Sequence, residues 1–134
     1  MTDTLYAHRP LSAKLGIKTG WRVSVLGAPQ GFTSALGPLP AKVAMTAKPE
    51  PGCHLYLCFV GSRSQLSHRL ATLPLLIGSQ PLWLMWPKKA SGLKVDIDGN
   101  VVREAGLASG LVDYKICSVD ATWSGLAFKR RKGR

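Results

Sequence analysis

The chain is short of acidic side chains. Seven Asp and Glu stand against eighteen Lys and Arg, a net charge of +11 over 134 residues. A field of that sign concentrates phosphate-bearing partners, whether nucleic acid or small molecules, without choosing among them. Long apolar runs are also missing. Nothing approaches the roughly 18 consecutive apolar residues that cross a bilayer. Met1 to Arg9 holds no apolar stretch of the kind a secretory leader needs. No membrane partner is expected. Cysteine is scarce, and its number is odd: Cys53, Cys58 and Cys117. All three fall in apolar runs, where a free cysteine acts as a small buried hydrophobe. That usage fits a reducing, cytoplasmic compartment.

Signatures of common chemistries are absent too. Cys53-His54 has no second pair at zinc spacing. Asp96-Ile97-Asp98-Gly99-Asn100 would need a bidentate glutamate where Leu107 stands, so it is no calcium loop. There is no Gly-x-Ser-x-Gly elbow, and His8, His54 and His68 are scattered. The carboxylates show no pairing by spacing. Neither a metal nor a cofactor is expected, and conventional hydrolase chemistry has little support.

What is present is enough for one core: 46% of the residues are hydrophobic and 19% charged. Residues 1–9 read as a loose N-terminus, 10–129 as one domain, and 130–134 as a basic tail. Pro10 to Leu15 reads as a short helix ended by Gly16. Trp21 to Leu26 is β-branched and bounded by glycine, a strand, and a short helix to about Leu36 follows a glycine loop. Lys42 to Thr46 is a weaker strand. Cys53 to Val60 and Leu82 to Trp86 are almost continuously apolar, the pattern of strands covered on both faces of a parallel sheet. Between them, Leu66, Leu70, Leu73 and Ile77 keep helical spacing behind a Ser62 or Ser64 cap, with a break at Pro74. Asp98 to Ser109 is a capped helix. Val112 to Val119 and Leu126 to Lys129 close the chain as an antiparallel pair.

This alternation predicts an α/β fold: a Rossmann-like three-layer sandwich with a mainly parallel sheet and a C-terminal antiparallel hairpin. It resembles a trimmed methyltransferase fold. The link between the second and third strands is too short for a helix, so either a unit is missing there or that pair is arranged differently.

The stretches LGAPQGF, LGPLP, WPKKASG, GLVDYKICSVDATWSGL and FKRR resemble the bacterial domain-of-unknown-function family 3052. The likeness runs from about Pro10 to Arg131. Its most specific pieces are Trp86 to Gly92 and Asp120 with Trp123-Ser124-Gly125. The resemblance implies a small bacterial cytoplasmic domain and brings with it no reaction, ligand or catalytic residue.

Three segments are candidate binding sites. The loop Gly27-Ala28-Pro29-Gln30-Gly31 follows the first strand, where open α/β sheets hold ligands. It departs from Gly-x-Gly-x-x-Gly, because Pro29 lacks an N–H and no middle glycine allows close approach. Thr46-Ala47-Lys48 also lacks the acidic residue that holds a ribose. Gly27, Pro29 and Gly31 thus read as a structural turn first and a nucleotide cradle second. Lys88, Lys89, Ser91 and Gly92, joined by Arg63 on the same rim, can hold a phosphate or carboxylate; a solvated loop is the competing reading. Asp120 and Trp123 form a turn whose ring can stack on a base or lid its own hairpin. The tail residues Lys129, Arg130, Arg131, Lys132 and Arg134 can track a phosphate backbone or merely fray in solvent.

The expected function is a non-catalytic binding or regulatory domain. It would hold an anionic, phosphate-bearing ligand or nucleic acid at the carboxyl edge of the sheet. The alternative is a methyltransferase-like group-transfer enzyme with a nucleotide-type cofactor. A homo-oligomer through an exposed sheet edge is a third expectation.

Overall fold

The structure, a computed structural model, describes residues 10–132. Its centre is a six-stranded sheet: β1 (Arg22–Leu26), β2 (Ala44–Thr46), β3 (Leu55–Phe59), β4 (Leu82–Pro87), β5 (Leu111–Ser118) and β6 (Trp123–Arg130). Across the sheet the order is β2-β1-β3-β4-β6-β5. The first four strands run parallel, whereas β6 is antiparallel to β4 and to β5. Every residue of β3 and β4 is buried, so both faces must be covered, as their unbroken apolar sequences require.

Among the described residues, five helices supply that cover: α1 (Leu11–Leu15), α2 (Phe32–Ala35), α3 (Arg63–Leu70), α4 (Leu73–Leu76) and α5 (Gly99–Ala108). Leu11, Leu15, Phe32 and Leu36 pack with Val23, Leu57, Trp83 and Met85 on one face. Leu66, Leu73, Ile77 and Val102 pack with Tyr56, Cys58, Leu84 and Phe128 on the other. The Trp83 indole N–H donates to Leu15 O at 3.2 Å, fixing α1 to the sheet. Helix α5 lies so close to β6 that a Cβ on Gly106 would stand 2.4 Å from the Phe128 ring.

Local signals in the sequence explain the helix ends. Ser62 Oγ accepts from Gln65 N at the start of α3, and Asp98 Oδ1 accepts from Val101 N at the start of α5. Gly16 ends α1 in the left-handed region at φ 86°. Helix α3 stops at Leu70, before the break expected at Pro74. Pro74 instead sits in the first turn of α4, where its missing N–H costs nothing.

The link between β2 and β3 is the expected irregularity. The two strands flank β1 on opposite sides and run the same way. Residues 47–54 therefore return across the sheet as irregular chain, with bends and a turn at Pro51-Gly52, without the usual crossover helix. Side chains on the α3 face hold this strap: Ser24 Oγ donates to Lys48 O at 2.7 Å, and Tyr56 Oη donates to Glu50 O at 2.6 Å. Arg22 pairs with Glu50 at 2.7 Å. At the other end of the chain, β6 continues through Arg130, and Arg131 N donates to Gly110 O. The segment expected as a tail thus begins within the sheet; Gly133 and Arg134 lie outside the described residues. Among the described residues, no helix is long and apolar enough to cross a membrane.

The core makes one stability prediction. Burial pushes the Cys58 thiol up to about 12, against an ordinary 9.0. The folded protein thus keeps this thiol protonated where the unfolded chain would ionise it. Its contribution to stability is complete below pH 9 and is lost as the pH rises from there toward 12. Urea titrations between pH 8 and 11 should show stability falling by up to about 1.4 kcal/mol per pH unit from this group. Cys58→Ala should flatten that slope; an unchanged slope would contradict the assignment.

Candidate functional site

The chain order reverses between β1 and β3, since β1 leads outward to β2 and the chain then crosses back to β3. Ligands of open α/β sheets bind at the carboxyl ends of strands beside such a reversal. Here that place is Gly27 at the end of β1 and Gly61 just past β3. Two clefts flank Gly27. One, of about 550 Å³, is lined by Gly27, Phe59, Gly61, Ser64, Gln65, His68, Arg69 and Trp123. The other, of about 510 Å³, lies toward β2 between Val25, Phe32, Thr33, Met45, Thr46 and Ala47.

Local chemistry builds the first cleft. Gly61 N donates to Gln65 Oε1 at 2.6 Å, so the strand-to-helix turn is closed by its own helix. Helix α3 then presents Ser64, His68 and Arg69. Arg69 is half-buried, and its charge opposes the upward push on the Cys58 thiol. Its guanidinium has no hydrogen bond or ion pair among the described residues. The opposite wall is Trp123, whose ring meets Phe59 edge to face at 5.1 Å and 85°. Phe59 in turn meets Phe32 at 4.8 Å.

The sequence-predicted residues distribute unevenly around this edge. Gly27 and Trp123 meet in the larger cleft. Gly27 has φ 68°, and a Cβ there would sit 3.0 Å from Phe59 O. Packing against β3 therefore accounts for this glycine without a ligand. Pro29 O accepts from Phe32 N, and Gly31, at φ 88°, precedes α2. Both shape a turn.

Lys88 lies on the same edge, because β6 starts beside the end of β4, with Pro87 opposite Trp123. Its ammonium is already engaged: Nζ donates to Ser118 Oγ and to Asp120 O, each at 2.6 Å. Lys88 N donates to Thr122 O at 2.7 Å. Asp120 Oδ1 accepts from Thr122 N and Trp123 N, both at 2.8 Å, and so sets the hairpin turn and the Trp123 ring above it. Lys89 is exposed at the start of a 3-10 turn. Ser91 Oγ donates to Lys88 O, and Gly92 closes that turn at φ 81°. Arg63 is turned to the loop before α5, with Nε donating to Asp96 O and N to Asp96 Oδ1. It lines a separate cleft between α3 and α5. Lys129, Arg130, Arg131 and Lys132 leave the sheet at the opposite, amino edge, where Arg130 pairs with Leu111.

Ser64, Gln65, His68 and Arg69 are cleft residues that sequence reasoning missed. His68 reads there as a solvated face of a helix. The signal that could have found them is their place on the first turns after β3, beside the reversal point.

No family model and no curated protein matches the chain. Solved structures do. The ribosomal protein L11 methylase of Lactobacillus delbrueckii subsp. bulgaricus superposes with a TM-score of 0.54 at 11% identity, over 90% of this chain and 75% of that one. A Thermoplasma acidophilum protein assigned as a methyltransferase gives 0.55 at 8% identity, over 88% and 71%. LepI in complex with S-adenosylmethionine (SAM) gives 0.51 at 12%, over 94% of this chain and 48% of that one. The fold is Rossmann-like, of the methyltransferase type. At these identities the likeness concerns the fold alone.

Whether this methyltransferase-like scaffold suits an adenosyl cofactor can be tested on its own residues. A ribose at such a site is held by a carboxylate near the end of the second strand, and the first loop approaches the ligand through free backbone donors. The cleft beside β2 has no carboxylate in its lining. Glu50, the acid that follows β2, points to Arg22. Pro29 removes a donor from the loop. The residues present do not fit the cofactor. Among the described residues, no cluster of three or more His, Cys, Asp or Glu can hold a metal ion.

Lys88 gives the second prediction. Truncating it removes two short hydrogen bonds that tie the end of β4 to Ser118 of β5 and to the hairpin turn. Lys88→Ala should cost about 1–3 kcal/mol in denaturant unfolding, as charge-assisted hydrogen bonds do. It should also speed amide exchange of Thr122 and Trp123 selectively. Unchanged exchange there would show that the staple carries no stability.

Proposed function

We propose that the chain is a non-catalytic binding domain on a methyltransferase-like scaffold, and that it takes a phosphate-bearing small molecule in the cleft between Gly27, α3 and Trp123. One observation carries the reading: a half-buried Arg69 guanidinium, without a partner among the described residues, in the cleft at the reversal of chain order. A guanidinium in that setting gives two parallel donors to a phosphate or carboxylate. Ser64 and His68 add polar groups beside it, and Trp123 offers the edge of an aromatic wall against which a base can rest. The overall charge of +11 supports an anionic occupant. Kinship with the domain-of-unknown-function family 3052 is part of the same proposal and adds no chemistry to it.

The fold likeness to methyltransferases favours a second reading, a group-transfer enzyme. Against it, neither cleft beside Gly27 has a carboxylate in its lining to hold a cofactor ribose. Cells lacking the domain would then lose a binding event rather than a modified product.

Calorimetric titration with adenosine 5′-monophosphate and with inorganic phosphate tests the reading. Saturable binding is expected, about ten-fold weaker or more in Arg69→Gln, the loss expected when a charged hydrogen-bond partner is removed. No binding of either probe by the parent protein, or equal binding by the variant, would reject it.

A further inference from the structure

At the amino edge of the sheet, far from Gly27, lysines and aromatic rings alternate. Lys129 Nζ lies 5.1 Å from the centre of the Tyr114 ring. Lys115 Nζ lies 5.9 Å from the Trp83 ring, and Lys18 Nζ lies 5.9 Å from the Trp21 ring. Trp21 also stacks on His54 at 5.8 Å and 12°. Trp21, Trp83, Tyr114, Lys115 and Lys129 line one cleft of about 330 Å³. The arrangement depends on the fold. A β-bulge between Asp113 and Lys115 breaks the pairing of β5, and Tyr114 and Lys115 both reach the α1 side of the sheet there. Lys115 Nζ donates to Lys14 O at 3.0 Å, tying the β5 edge to α1.

The charges are segregated. Two carboxylates are neutralised by ion pairs, Glu50 by Arg22 and Asp113 by Arg103 at 3.2 Å. Asp96, Asp98 and Asp120 are engaged at the carboxyl edge. Lys115 and Lys129 line the cleft and Lys18 stands exposed beside Trp21, with no carboxylate in the lining. The end of β6 adds Arg130 and Lys132 to the same edge. Arg131 is held back, its guanidinium donating to Leu107 O and Leu111 O.

We infer that this edge binds a single-stranded polynucleotide, with Tyr114 as the stacking platform and Lys18, Lys115 and Lys129 as phosphate contacts. A small anion would use the lysines and leave the rings idle. A duplex hides its base faces, so it too would gain nothing from them. A single strand uses both, because stacking on a ring is open to every base and the phosphates follow the lysines. Tyr114 is 51% exposed and carries the Lys129 ammonium over its ring, so an aromatic surface and a cation meet at one exposed point. This site is at the opposite end of the molecule from the Arg69 cleft and stands or falls separately.

Fluorescence anisotropy with a labelled 20-residue single-stranded oligonucleotide tests the inference in the full chain. The parent should bind, more tightly than it binds a duplex of equal length, with affinity falling steeply as salt rises. Tyr114→Leu should weaken binding about ten-fold, the scale of one lost stacking contact. Tyr114→Phe should restore it, and since both keep bulk at an exposed position, loss of folding is separable by circular dichroism. Lys115→Ala with Lys129→Ala should lower the slope of log affinity against log salt by about 1.4, near 0.7 per lost contact to a single strand. Lys94→Ala, on an exposed loop at the other edge, should bind as the parent does. Absence of binding in low salt would overturn the inference. So would equal affinity of Tyr114→Leu and Tyr114→Phe, or competition by inorganic polyphosphate as strong as by the unlabelled strand.

Discussion

Strands β3 and β4 cannot meet water on either face. LYLCF and LWLMWP are buried throughout, and a chain of this size has only a few short helices with which to cover them. That requirement sets the layering, with α1 and α2 on one side and α3, α4 and α5 on the other. It also places the β1–β3 boundary, and with it the reversal of chain order, under Gly27. The carboxyl-edge cleft follows from how two apolar strands are hidden. Its walls are the turn after β1, the first turns of α3 and the Trp123 ring, each fixed by packing or by a hydrogen bond within the fold.

Charge is divided along the strand axis. The carboxyl edge uses its polar groups on itself: Lys88 on the hairpin, Arg63 on Asp96, Asp98 on α5, Asp120 on its own turn. Arg69 is the cation in that cleft left without a partner among the described residues. The amino edge has the contrary arrangement, with lysines set over rings and its carboxylates paired away. A net charge of +11 is therefore not spread evenly over a basic surface, and two chemically different surfaces share one small sheet.

The sequence disclosed the elements better than the site. Apolar runs of strand length gave β3 and β4, a cap at Ser62 or Ser64 and another at Asp98 or Asn100 located the starts of two helices to within two residues, and Gly16 marked the end of another, because each signal acts within a few residues. The parallel sheet with its closing hairpin was legible for the same reason. The strap from β2 to β3 was not, since Ser24 and Tyr56 hold it by hydrogen bonds from strands distant in sequence. Lys88 has the residue type and position of an anion ligand, yet its ammonium finds acceptors on Ser118 and Asp120 that only the β4–β6 register brings near. Conversely, the pairing of Lys129 with Tyr114 needs a bulge that has no sequence signature here. Side-chain function was obscured wherever it depended on which partner arrives from another strand.

In the proposed reading a methyltransferase-like scaffold has a cationic cleft in place of an adenosyl cradle, with Arg69 unpaired among the described residues and no carboxylate in the lining of the cleft beside β2. Calorimetric titration of the purified protein with S-adenosylmethionine tests it most directly. The account predicts no saturable heat up to about millimolar ligand, where a usable cofactor site would already be filled. Saturable binding at micromolar concentration, one molecule per chain, would contradict it.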